Sequence, residues 1–250
     1  MSAIAASLIV FVCVFGGALV GMLLRAVLPA HHFDDDTKDV IKMGMGLVAT
    51  MTALVLGLLI ATAKGAYDTQ KDEVTQLSAK IIFLDRTLAR YGPETKDVRN
   101  LARGVIARAI DRAWPEAGTR SSRLEPRGGA DVVYEGIQEL SPKNDAQRSF
   151  KIQALSILSD VAQTHWLMFQ QRGSSLSTLF LVTVVSWLTI IFISFGLYAP
   201  RNATVIATLF VCALSVSGAI LLILELDRPF EGLIQISPAQ LRSTIAILGR

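Results

Sequence analysis

Apolar and charged positions are sharply segregated along this chain. Four stretches carry no Asp, Glu, Lys or Arg: residues 1–24, 43–63, 173–200 and 202–224. Each is close to the ~20 residues a helix needs to cross a bilayer core. Inside lipid a segment must satisfy its own backbone hydrogen bonds, so these stretches predict helices rather than strands. The predicted spans are 3–24, 43–63, 176–197 and 203–224.

Beyond the second span the pattern changes from continuous to periodic. Val74, Leu77, Ile81, Leu84, Leu88 and Tyr91 follow one another at 3-4-3-4-3 spacing, an a/d seam. No proline or turn cluster separates this seam from the span, and Gly92-Pro93 ends it. The pattern predicts one helix from about 41 to 91, roughly 75 Å long at ~1.5 Å per residue. About half of it stands outside lipid and must bury its seam, which makes Val74–Tyr91 a candidate surface for self-association or a partner. The insert offers other cover. Val98, Leu101, Val105, Ala109 and Ile110 share a face of a helix over 95–113, and 115–131 reads as a loop rich in Gly, Ser, Arg and Pro. Ser141-Pro142 predicts the start of a further helix. Its face is Phe150, Leu155, Leu158, Val161, Trp166 and Phe169, and it runs toward the third span.

The predicted architecture is an all-α membrane protein. Residues 1–63 form a first helix pair, 64–175 a helical insert, 176–226 a second pair and 227–250 a tail. Composition agrees: 52% of the 250 residues are hydrophobic, and the mean hydropathy is +0.47. The insert holds 17 of the 24 lysines and arginines against 14 acids, so it is the water-exposed part. Four crossings put both termini and the insert on one side, assigned to the cytoplasm. The basic residues near the membrane divide almost evenly: Lys64, Lys71, Arg172, Arg228 and Arg242 on that side, Arg25, Lys38, Lys42 and Arg201 on the other. "MSAIAAS" lacks the cationic start of a signal peptide, so the first span is expected to stay. Its Gly17-x-x-x-Gly21 lets another helix approach closely. Small residues also recur along the second span, at Gly44, Gly46, Ala49, Ala53 and Gly57. Cys13 and Cys212 read as packing residues. The net charge of +3 implies no nucleic-acid partner; the bilayer is the partner this composition demands.

Little here suggests catalysis or a cofactor. Neither "GVIARAI" nor "RGGAD" is a phosphate loop, and His165 sits alone near an apolar face. "HHFDDD" (31–36) gathers His and Asp, but at no standard metal spacing, and no metal site is assigned; at a pore mouth it would concentrate cations. "RSSRLEPR" (120–127) reads as a solvated basic loop. The most unusual stretch is "ELDRPF", where Glu225 and Asp227 end a membrane-length helix at the unfavourable end of its dipole. Glu225 and Arg228 share a face and can pair, while Pro229 turns the chain before Phe230. Either the pair merely offsets misplaced charge, or the carboxylate serves an ion path or gating turn.

Residues 57–94, "GLLIATAKGAYDTQKDEVTQLSAKIIFLDRTLARYGPE", and 225–237, "ELDRPFEGLIQIS", resemble the bacterial bestrophin-like family, a domain of unknown function, across nearly the whole chain. Glu225, Leu226, Asp227, Pro229 and Phe230 also resemble the Glu-Ile-Glu-x-Pro-Phe stretch after the last membrane helix of true bestrophins. Those are pentameric anion channels whose second membrane helix lines the pore. The resemblance implies a multi-pass protein of the bacterial inner (cell) membrane, a homo-oligomer that passes small ions and is no enzyme. The resemblance implies that the second span lines a pore, but the bulky neck residues of bestrophins match no positions of "MGMGLVATMTALVLGLL" and none is carried over. The candidate pore-lining helix is taken at Gly46, Ala49, Thr50, Ala53 and Gly57, and the candidate ion path or gating turn at Glu225, Asp227, Arg228, Pro229 and Phe230. Animal bestrophins follow Pro-Phe-Gly with an acidic run that helps bind calcium. Here Glu231 stands alone, which argues against a calcium clasp. The rival reading is a non-conducting, membrane-anchored signalling or scaffold protein that acts through the helical insert and its seam.

Overall fold

The computed structural model describes residues 2–27, 35–114, 129–170, 178–230 and 232–248, and its longer elements are all α-helices. In chain order they are α1 (Ala3–Val27), α2 (Asp35–Tyr91), α3 (Lys96–Ala113), α4 (Gly129–Gln138), α5 (Asp145–Gln170), α6 (Thr178–Tyr198), α7 (Ala203–Leu226) and α8 (Ala239–Ile247), with a 3₁₀ turn at Pro93–Thr95. Helices α1, α2, α6 and α7 are long and apolar enough to cross a membrane. Helix α2 is unbroken through the end of its apolar run, as the absence of breakers predicts. Its 57 residues span roughly 85 Å at ~1.5 Å each, far more than a ~30 Å hydrocarbon core.

Two compact units share this helix. The first comprises Met1–Tyr67 and Ser174–Ile234, the second Asp68–Gly173 and Gln235–Arg250. The C-terminal residues from Gln235 onward belong to the second unit.

In the first unit α1 packs along both α6 and α7. Its close partner is α6, because glycines remove the spacing that side chains impose. A Cβ on Gly21 would run into the backbone of Ile193, and one on Gly196 into the backbone of Ala18. Toward α7 the contact is polar. Ser7 Oγ donates to the Ser217 carbonyl at 2.9 Å, and Ser217 Oγ donates to the Ser7 carbonyl at 2.7 Å. Both serines are buried, where an unmatched hydroxyl would be penalised. Val14, Ala18, Val184, Ala213, Ile220 and Ile223 fill the core. Leu59 and Ala63 of α2 reach the same core, with Val55, Leu56 and Tyr67 beside them.

In the second unit the whole periodic seam is covered. Val74, Leu77, Ile81, Leu84, Leu88 and Tyr91 are all buried, none more than 9% exposed. Leu84 and Leu88 pack with Val98 and Ala102 of α3, Val133 and Ile137 of α4, and Ala154, Ile157 and Leu158 of α5. The side chain of Arg99 grips Asp85 with two parallel bonds, 2.7 and 2.9 Å, locking α3 to α2. That fork holds the guanidinium above its ordinary pKa. Two local expectations are corrected. Helix α4 begins at Gly129, inside the stretch read as a loop. Helix α5 begins at Asp145 rather than after Ser141-Pro142, because Asn144 Oδ1 accepts the Gln147 amide at 2.8 Å and supplies the cap. The C-terminal segment is tied in by Trp114 Nε1, which donates to the Ile236 carbonyl at 2.7 Å.

Candidate functional site

The carboxylate at the end of α7 is held from outside its own helix. Glu225 is only 4% exposed. After Leu226 the chain leaves the helix through Asp227, whose amide donates to the Ile223 carbonyl at 3.1 Å. It then turns through Arg228, Pro229 and Phe230; Pro229 is buried and Arg228 exposed. Gly232 takes a φ of +95°, and a Cβ there would run into the Glu225 carboxylate. With no side chain in the way, the backbone folds back. The Leu233 amide donates to Glu225 Oε2 at 2.5 Å, and the Ile234 amide reaches the same oxygen at 3.4 Å.

This arrangement answers the question raised by an acid at a helix C-terminus. The dipole penalty is about 0.3–1 kcal/mol. A hydrogen bond to a charged group contributes roughly 1.5–3 kcal/mol net. One good amide bond therefore outweighs the penalty. The donors described for Glu225 are two backbone amides, those of Leu233 and Ile234. Sequence periodicity could not find them, because they lie eight and nine residues on, beyond a turn. The one visible signal was a glycine at 232.

The candidate pore residues lie elsewhere on the first unit. Gly46, Ala49, Thr50, Ala53 and Gly57 are all exposed on α2, whereas Thr52, Leu59 and Ala63 are buried. A Cβ on Gly44, Gly46 or Gly57 would meet nothing within 4 Å. Thr50 satisfies its own hydroxyl by donating to the Gly46 carbonyl at 2.8 Å. Among the described residues the glycines of α2 at 44, 46 and 57 therefore make no close helix contact. Cys13 and Cys212 are also exposed, not packing residues. The seam residues, by contrast, offer no open face to a partner. Residues 31–34 of the His/Asp cluster and the 120–127 basic stretch lie outside the described residues.

Among the described residues these features define a helical membrane protein with four helices of spanning length and a buried carboxylate turn after the last. The chain belongs to the bestrophin-like family: the model of the bestrophin-like domain matches residues 12–241, nearly its full length. No curated protein matches it.

Proposed function

We propose that the chain is one subunit of an oligomeric ion channel whose pore is lined by the exposed face of α2. The observation that carries this reading is the contrast in burial between the apolar spans. Within this chain only 11% of the most apolar stretch of α2 is buried, against 28–33% for the other three. Beside the exposed Met43, Leu47, Met51, Leu54 and Leu58, which suit acyl chains, runs a narrower exposed stripe, Gly46, Ala49, Thr50, Ala53 and Gly57, whose small and partly polar side chains suit a water path within a ring of copies. Membership of the bestrophin-like family supports the same reading, and the resemblance to true bestrophins, which are channels, favours anions. On this view Glu225 acts as a fixed strut for the turn after α7, and the insert and both termini face the cytoplasm. The scaffold alternative loses support because its intended surface, the Val74–Tyr91 seam, is filled by the chain itself.

The test is ion flux through protein reconstituted in liposomes, under chloride and potassium gradients. Cys13 and Cys212 are first replaced, and cysteines are then placed at 46, 49, 50, 53 and 57. We expect flux above that of empty liposomes, reduced by a charged thiol reagent at these positions. Folded, inserted protein that carries no flux, with all five positions unreactive, would remove the pore reading.

A further inference from the structure

At one end of the first unit two arginines cap each other's helices. Arg25, in the last turn of α1, donates from Nη1 to the carbonyls of Ala199 at 2.5 Å and Tyr198 at 3.2 Å, where α6 ends. Arg201, in the link from α6 to α7, donates from Nη2 to the Met22 carbonyl of α1 at 2.6 Å. Cations at helix C-termini are favourably placed against the dipole, so both guanidiniums are held in position before any ligand arrives. Each guanidinium has five N–H donors, and these contacts use one nitrogen of each.

The two arginines, with Ala26 and Pro200, line an open cleft of about 380 Å³, and none of the described residues in its lining is acidic. A further source of positive potential adjoins it in sequence. Helix α7 begins at Ala203, two residues after Arg201, and Asn202 makes no side-chain capping bond to its first-turn amides. The N-terminal amides of a 24-residue helix favour an anion. Forked, planar donors from two arginines suit the paired oxygens of a phosphate better than a spherical ion.

We propose that Arg25 and Arg201 form a binding site for a phosphate group. Two sources offer that group, a phospholipid headgroup and soluble phosphate. The surroundings favour the lipid. The cleft lies where the apolar runs of α1 and α6 end, and Leu23 and Val27, on either side of Arg25 in sequence, are 65% and 82% exposed. Such side chains lie against acyl chains while the arginines meet the headgroup.

The experiment follows the melting temperature of the detergent-purified full chain as phosphatidylglycerol, phosphatidylcholine or inorganic phosphate is added. We expect a saturable rise with phosphatidylglycerol, little with phosphatidylcholine, whose cation the arginines repel, and none with inorganic phosphate. Arg25→Gln and Arg201→Gln should each reduce the rise at least twofold, while Arg242→Gln in the second unit leaves it intact. If the Gln variants fail to fold, Arg25→Lys and Arg201→Lys keep a cation but lose the fork, and should still halve it. A rise with inorganic phosphate that the same variants abolish would support the site with a soluble ligand. Equal rises with both lipids, or a rise unchanged in the Arg25 and Arg201 variants, would overturn it. So would an equal fall in Arg242→Gln, which would mark general charge attraction.

Discussion

Gly17 and Gly21 of α1 and Gly46 and Gly57 of α2 look alike in sequence: small residues recurring along an apolar helix. Their surroundings are opposite. The α1 pair is pressed against Thr189, Ile193 and Leu197 of α6, while the α2 glycines face open space. On α1 the small residues let two backbones of one chain come together. On α2 they leave an open face, which the channel reading assigns to the water path. The lesson is that a small-residue motif marks a surface able to accept close approach without saying what approaches.

The strongest way to break this comparison is to add bulk where α1 meets α6. Gly21→Leu and Gly196→Leu should be the most damaging changes, because the added atoms meet backbone that has no rotamer to escape into. Overpacking of this kind typically costs about 1–3 kcal/mol or more. We expect a large drop in melting temperature and in monodisperse yield. Folded protein of unchanged stability would mean that α1 and α6 are not in close contact.

The serine clasp offers a milder probe of the packed side. Ser7→Ala or Ser217→Ala removes one partner of a reciprocal pair. Hydrogen bonds between membrane helices average about 0.6 kcal/mol and reach about 1.7, so a fall of a few degrees is expected, with the double variant less than additive. An additive double variant would argue against direct coupling.

On the open side, Gly46→Ala and Gly57→Ala should leave the chain's own stability unchanged or slightly raised, since alanine is favoured over glycine in a helix by up to about 1 kcal/mol. Their effect should appear in ion flux instead. If they destabilise the chain as much as substitutions at Gly21, the two faces are equivalent and the comparison fails.

The smallest effect is expected at the far end of α2, past Gly92. There Lys143 Nζ donates to Glu94 at 2.7 Å, holding that carboxyl below its ordinary value. A depressed carboxylate stabilises the fold above its unfolded pKa and loses that contribution as pH falls through the folded one. The same contact raises Lys143, whose share is lost only as alkaline pH passes its folded pKa. Both groups are exposed, so a Glu94→Gln variant should melt marginally below the parent at neutral pH and level with it in strong acid. A difference that persists in acid would show that the ion pair is not its cause.

Much of the fold was legible because its causes are local. A charge-free run of about twenty residues dictates a spanning helix, and the absence of any breaker between residues 64 and 91 dictates that α2 continue. The 3-4 spacing of Val74 to Tyr91 required burial, and the seam is buried. The loop read over 115–131 and the expected start of α5 failed for equally local reasons: α4 begins at Gly129 in a stretch whose composition reads as loop, and the cap at Asn144 competes with a more familiar Ser-Pro pair.

What only the tertiary structure decided is which surfaces meet. The amides of Leu233 and Ile234 reach the Glu225 carboxylate after a turn through Gly232, which no spacing around Glu225 specifies. The two small-residue stripes are indistinguishable by composition, yet one is filled by α6 and the other left open. Helix formation and membrane compatibility depend on neighbours in the chain. Partner choice depends on where distant segments arrive, and no periodicity encodes that.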